Sequence, residues 1–445
     1  MRKYFVFACL AMALIFNGCK KEISVPDQSN GTLASARAAT NSSSEVVTQW
    51  YNLQTRIMLY TNPNPSPVVT GRIFAYEGIA LYESVRHGIP NSVPLSSVLY
   101  QMPEMPAKEK NNGYSWSIAA NAAMAFMTRN MFAGLTAHNQ ASIDSMEAAY
   151  NEKLSPDQAS EVFSRSREFG RKVAAAVFEW SKSDGISHNS DPYTPPVFPG
   201  AWVPTPPALL PAALPYLGTY RPMLEMHLTG IAPPFPFAYS ETPGSPFYEE
   251  VNFTYQTSKN ATAEQKTIAR FWADVGVGTG YSTPGHHIRI LTKLLEKNGA
   301  DLGTAAMAYA KTSIASRDAF IMTWRSKYHY NQIRPVTYVR NLIDPSWLPY
   351  IGTPNHPEYP AAHATVSSAF MEAMAGVFGD NYSFSDDTYE FLGIAPRDYS
   401  SFGDAAAEAG LSRIYGGIHY RESVKAGLAF GKQIGKHVRD LQLQQ

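Results

Sequence analysis

Cysteine is nearly missing from this chain. Only Cys9 and Cys19 occur among 445 residues, so everything beyond the first twenty positions holds neither a disulfide nor a thiol nucleophile. Net charge is missing too. The 37 Lys+Arg balance 37 Asp+Glu, and the basic residues are thinly spread, which excludes a nucleic-acid partner or a polybasic membrane surface. Alternating strand-like runs are scarce, no repeat recurs at a fixed period, and there is no HExxH, P-loop or GxSxG motif. Apolar residues are abundant instead, 44% against 17% charged, enough for a large core.

The N-terminus reads as a targeting segment. Met1–Lys3 is basic, Tyr4–Phe16 is apolar, and Asn17-Gly18-Cys19 follows; this is a signal peptide, too short to span a bilayer. Cysteine directly after glycine resembles a bacterial lipobox, with Phe16 where leucine is usual. The expected organisation is a signal peptide over residues 1–18, lipidation at Cys19, and a polar tether over 19–45. One helical domain then fills 46–445. The destination is an outer-membrane lipoprotein, periplasmic or surface-facing, touching the membrane through its lipid alone. Ordinary secretion is the alternative.

The body reads as all-α. Apolar spacing predicts helices over Val46–Tyr60, Pro67–Arg86, Ala137–Lys153 and Ser155–Ser181, with an Ala-rich helix from Ser115. From Pro192 to Pro246 stand fifteen of the 32 prolines, which excludes long helices there. With Trp202, Tyr216, Tyr220, Phe235 and Phe237 in it, this stretch is expected to be an ordered connection wrapped over the core. Helices resume over Ala263–Val275, His287–Asn298, Leu302–Tyr328, Ala361–Phe378, Asp404–Ile414 and Glu422–Leu443.

Three stretches near helix ends carry anion-binding chemistry. In "WRSKYHYNQIRPVTY", Lys327 closes a helix and Arg334, held extended by Pro335, projects from the other side of a short loop. The two cations can converge on one oxyanion. Trp324 lies one turn before Lys327. In "YPAAHATVS", Pro360 opens a helix and the N–H groups of Ala361, Ala362 and His363 lack helical acceptors. A histidine there either packs quietly or moves protons beside a bound anion. In "SRIYGGIHYRES", Gly416-Gly417 lets the chain fold back so that Arg413 and His419 share a pocket, and Glu422 or Ser423 can cap the last helix. Taken singly, each stretch is better read as an ordinary helix end with incidental polar residues.

Taken in order, Lys-x6-Arg-Pro, Pro-x-x-His and Ser-Arg-x5-His resemble the vanadium haloperoxidase and type 2 phosphatidic acid phosphatase superfamily, whose pattern is K-x6-R-P, P-S-G-H and S-R-x5-H-x3-D. "DAFIMTWRSKYHYNQIRPVTYVR", "HPEYPAAHATVSSAF", "GAWVPTPPALLPAALPYLGTYRPM" and "WADVGVGTGYSTPGHH" resemble its bacterial haloperoxidase-like branch, over roughly Val46 to Leu443. The resemblance implies helical bundles around an oxyanion site, with the core half of the site in residues 302–443. It implies vanadate as cofactor, or phosphate as the alternative occupant. Lys327, Arg334 and Arg413 match the cations around its oxygens, and the Ala362 N–H adds a donor. His419 matches the axial ligand of vanadium, or the nucleophile of a phosphatase. His363 matches the acid–base histidine. Trp324 and His356 fall where family members place a halide pocket.

The implied reaction is oxidation of bromide or iodide by hydrogen peroxide. The alternatives are an acid phosphatase acting on a phosphate ester through a phosphohistidine, and an oxyanion-binding lipoprotein with little catalysis. Three departures stand out. Ala361 replaces the serine and Ala362 the glycine of P-S-G-H. Ser423 replaces the aspartate, which implies that His419 loses its carboxylate partner.

Overall fold

The computed structural model describes residues 38–60, 66–110, 112–274 and 280–444. The signal peptide, Cys19 and most of the expected tether lie outside them. In chain order, α1 (Glu45–Tyr60), α2 (Pro67–Val85), α3 (Trp116–Met131), α4 (Ala137–Leu154) and α5 (Ser160–Ser181) come first. After the proline-rich stretch come α6 (Pro246–Lys259), α7 (Ala263–Phe271), α8 (Thr283–Lys297), α9 (Leu302–Tyr330) and α10 (Pro335–Leu342). Then follow α11 (Ala362–Phe378), α12 (Phe402–Tyr415) and α13 (Arg421–Arg439). Between α11 and α12, β1 (Phe384–Asp386) pairs antiparallel with β2 (Arg397–Tyr399).

Local chemistry sets the helix starts. Ser66, Thr136, Ser245, Asp301 and Ser401 each accept a hydrogen bond from the first turn they precede, and Thr262 forms a capping box with Gln265. The central element is α9, 29 residues or about 43 Å long. It packs against α2, α11 and α13. In the first half of the chain α3 packs against α2, α4 and α5.

The tightest packing seats α11, which carries His363. Gly427, Gly431 and Gly435, four residues apart, line the face of α13 that meets α11. A Cβ on Gly431 would lie 2.1 Å from the Thr365 carbonyl oxygen, and one on Gly435 2.5 Å from that of Ala369. Only glycine lets the two backbones approach this closely.

The proline-rich stretch is ordered, as its aromatic content predicts. Trp202, Leu217, Tyr220, Met223 and Leu224 are buried. The Trp202 N–H donates to Asn331 O and the Ile333 N–H to Gly200 O, so the stretch pairs with the loop after α9.

Several expectations are revised. The segments forming α6 and α10 and the β1–β2 pair were not foreseen. Pro246 and Pro335 start helices rather than interrupt them, because proline is tolerated where the N–H has no acceptor anyway. The last helix begins after Tyr420 with no side-chain cap, so neither Glu422 nor Ser423 serves as one. Ahead of Val46, Ala39 is buried and Ser42 O accepts from Leu302 N, so the packed body begins before the expected end of the tether. No helix among the described residues is long and apolar enough to cross a membrane.

Gly431→Ala is expected to cost about 1–3 kcal/mol through overpacking. Gly352→Ala, where a Cβ meets nothing within 4 Å, is expected to cost far less. Urea denaturation of both variants checks the contrast.

Candidate functional site

The three motif stretches meet in one buried pocket. Lys327 lies in the last turn of α9, and Asn331, left-handed with φ 49°, ends that helix. Arg334 is extended before Pro335 (φ −80°, ψ 150°), as the sequence predicts. Arg413 is in the last turn of α12, and His419 follows in the turn before α13.

The cations are held mainly by backbone oxygens. Lys327 Nζ donates to the carbonyls of Pro357, Glu358 and Pro360 at 3.0, 2.8 and 2.6 Å. Arg334 donates to the carbonyls of His356 and Ile418, both at 2.9 Å, to His356 Nδ1 at 3.0 Å and to His419 Nε2 at 3.2 Å. Arg413 Nε donates to Ser412 Oγ, while its Nη2 is buried with no partner among the described residues. None of the three forms an ion pair with a described carboxylate.

Burial pushes Arg334 and Arg413 down to about 10, and burial with the Arg334 charge pushes Lys327 well below the lysine range. Three carbonyl acceptors nonetheless match the three protons of an ammonium, the form this geometry holds. Buried cations without a counter-anion are costly. An anion among them removes that cost.

His419 has a carboxylate partner after all. Its Nδ1 lies 2.7 Å from Glu358 Oε1, which also accepts the Tyr420 N–H at 3.1 Å. Ser423 Oγ donates to Glu358 Oε2 at 2.6 Å. The serine in place of the family aspartate therefore orients the glutamate rather than leaving the ring unpartnered. Burial raises Glu358 to about 7 against the pull of Arg334 and Lys327. Burial and the three cations hold His419 well below the histidine range. The ring is neutral, with Nδ1–H on Glu358 and its Nε2 lone pair directed to Arg334.

His363 is in the first turn of α11, with its side chain 20% exposed. Its Nε2 lies 3.0 Å from Thr283 Oγ1 and 3.4 Å from Asp274 Oδ2. Burial and the Arg413 charge lower it to about 4, against the opposing pull of Asp274. The helix starts at Ala362, and the Ala361 N–H donates to Ser423 O at 3.2 Å. The expected donor cluster thus loses Ala361 and keeps the N–H groups of Ala362 and His363. His356 Nδ1 accepts from Arg334, and its ring centroid is 4.8 Å from that of Trp324. The Trp324 N–H is spent on Ala213 O at 3.3 Å, so this residue presents only its ring to His356.

Glu358, Thr283 and Asp274 were not foreseen. Glu358 carries a signal: it is the sole acidic residue between Asp344 and Glu372. Nothing in the sequence links Asp274 to His363, 89 positions later.

The donor set suits an oxyanion. Its donors are the Arg413 nitrogen without a partner among the described residues, the two N–H groups of α11 and the cations of α9 and its loop, of which Arg334 lies 3.2 Å from His419 Nε2. Residues 307–346 and 342–444 match a family model of the VCPO second helical-bundle domain. The structure is similar to that of the first bacterial vanadium-dependent iodoperoxidase, with 33% sequence identity and a TM-score of 0.80 over 89% of this chain and 96% of that one. Holo and apo structures of a bacterial vanadium-dependent chloroperoxidase share the fold at 18% identity and a TM-score of 0.62. Each covers 84% of this chain, and 92% and 94% of its own. No protein of curated function matches in sequence.

Glu358→Gln is expected to weaken vanadate binding about 10-fold or more, measured by equilibrium dialysis in phosphate-free buffer. Folding stability carries a second test. His363 at about 4 and His287 at about 3 take up protons in the unfolded chain near 6.5 but not in the folded one. Stability is therefore expected to fall as pH drops from about 6.5 to 4. His286, raised to about 10 between two aspartates, contributes stability that is lost as pH rises through that value. Thermal melts across pH 4–10.5 check both limbs.

Proposed function

This chain belongs to the vanadium-dependent haloperoxidase family, and from that premise we propose that it oxidises bromide or iodide with hydrogen peroxide. The observation that carries the reading is the set of three buried cations that, among the described residues, have no carboxylate on them and leave one guanidinium nitrogen unpartnered. Such a set suits a multiply charged oxyanion. Lys327, Arg334, Arg413 and the Ala362 N–H would hold vanadate, and His419 Nε2 would ligate the vanadium.

Vanadate, when bound, supplies the Lewis-acid centre that activates peroxide toward halide. The protein's residues do the rest. Glu358 fixes His419 with its proton on Nδ1, so the Nε2 lone pair, which here accepts from Arg334, is the one that would ligate. Oxidation of one halide by one peroxide consumes one proton and yields hypohalous acid and water. His363 is the site histidine most open to solvent, at 20% side-chain exposure against 3% for His419. It is neutral above about pH 4, with Asp274 and Thr283 beside Nε2. Nδ1 then carries the lone pair that takes a proton from peroxide and returns one to the leaving oxygen. An anion beside Arg413 offsets the charge that lowers His363, so the ring becomes more basic when the pocket is filled. Trp324 and His356, with ring centroids 4.8 Å apart, would form the wall along which the halide approaches.

One observation favours a second reading, an acid phosphatase. A neutral histidine with a carboxylate on Nδ1 is also an activated nucleophile toward phosphorus.

Vanadate titration in phosphate-free buffer, with peroxide-dependent bromination and iodination of a phenolic dye as readouts, separates the readings. Saturable, vanadate-dependent halogenation that falls to background in His419→Ala is expected. Ester hydrolysis inhibited by vanadate, without halogenation, would make the protein a phosphatase. Vanadate binding with neither activity would leave an oxyanion-binding protein.

A further inference from the structure

Behind His363 lies a second charged array that the halide chemistry does not use directly. Asp274 follows α7, His286 is in the first turn of α8, and Asp386 ends β1. His286 Nδ1 lies 2.9 Å from Asp274 Oδ1, and its Nε2 lies 2.7 Å from Asp386 Oδ2. All three side chains are inaccessible to solvent or nearly so. A carboxylate accepts and does not donate, so a ring bonded to one at each nitrogen carries both protons and is an imidazolium. The rings of Trp272 and Tyr389 flank it, with centroids 4.7 and 4.9 Å away. Both further favour the cation.

The remaining acceptors are mostly taken. Asp386 Oδ1 accepts the Thr388 N–H at 3.0 Å, and Asp274 Oδ1 accepts the Tyr389 hydroxyl at 2.9 Å. Asp274 Oδ2 alone makes no hydrogen bond among the described residues. It lies 3.4 Å from His363 Nε2. Two carboxylates and one imidazolium sum to a single negative charge, and the one oxygen left over faces the site histidine most open to solvent.

We propose that Asp386 and His286 are positioning residues that hold the Asp274 carboxylate against His363 and set the net charge this ring faces. The small β pair then has a purpose beyond connection, since it delivers Asp386. The other charged or titratable groups around His363 are Arg413 from α12, His287 from α8 and His356 from the loop before α11. His287 and His356 are neutral, so Arg413 and the array are the two opposing influences. The array takes no part in vanadium ligation. Its role in turnover rests on the reading of His363 above, but the array itself does not.

The test is a histidine-selective nitrogen-15 NMR titration of the full chain in phosphate-free buffer. In the native protein both His286 ring nitrogens are expected to remain protonated from pH 6 to 9. Asp386→Asn removes one negative charge and leaves His286 paired with Asp274. The His363 titration is expected to move down by about 0.5–1 pH unit, and the acid limb of any halogenation profile to move with it. Asp387→Asn, which takes a charge from the next residue, paired with Lys293 outside the array, is expected to leave His363 unmoved.

A singly protonated His286 at neutral pH in the native protein overturns the proposal whether or not the variants fold. So does a downward shift shared equally by the two variants, or an unchanged His363 in a folded Asp386→Asn. Because the readout is the titration of the rings, a protein that halogenates nothing can still pass or fail it.

Discussion

Three cations sit in the interior of this protein with no described carboxylate bonded to them, two on carbonyl oxygens and Arg413 on a serine hydroxyl, and much of the surrounding chain is arranged to keep them there. Lys327 takes three carbonyls from residues 357–360, and Arg334 takes two more, from His356 and Ile418. Those bonds fix the two loops that lead into α11 and α13. Carbonyl dipoles steady a buried charge without cancelling it, so the pocket keeps a positive potential that only an incoming anion neutralises. A carboxylate bonded to any of the three would make the pocket easier to bury and would remove its affinity.

Carboxylates are present nearby, but they are spent on histidines. Glu358 holds Nδ1 of His419, and Asp274 lies against Nε2 of His363. The two rings thereby receive different tasks from similar partners. His419, enclosed and ringed by cations, stays neutral and offers a lone pair. His363, nearer solvent and between the charge of Arg413 and that of Asp274, is the ring to which the proposed reaction gives proton exchange. Two titratable groups of one type are driven apart by their surroundings, which is how a single pocket can both ligate and shuttle protons.

Close backbone packing makes this geometry possible. The glycine face of α13 brings α11 within carbonyl contact, so the first turn of α11 and the turn carrying His419 share one small volume. The proline-rich stretch closes the other side by pairing with the loop between Lys327 and Arg334.

The helical class, the ordered character of the proline-rich stretch and the family likeness were legible because periodicity, breakers and motif spacing are local properties of a chain. The cations and both site histidines were legible for the same reason, each standing at a fixed offset within its own motif. The partners of the histidines were not. Glu358 lies 61 positions from His419, and Asp274 lies 89 from His363; no local pattern joins them, and Ser423 pointed toward a missing carboxylate. Hydrogen-bond pairing across such separations depends on how helices pack in three dimensions. The sequence by itself determined which residues could bind an anion; the tertiary structure decided which carboxylate serves which ring and how far each cation is stripped of water. The reason is physical: burial and charge–charge distance exist only once the chain has folded.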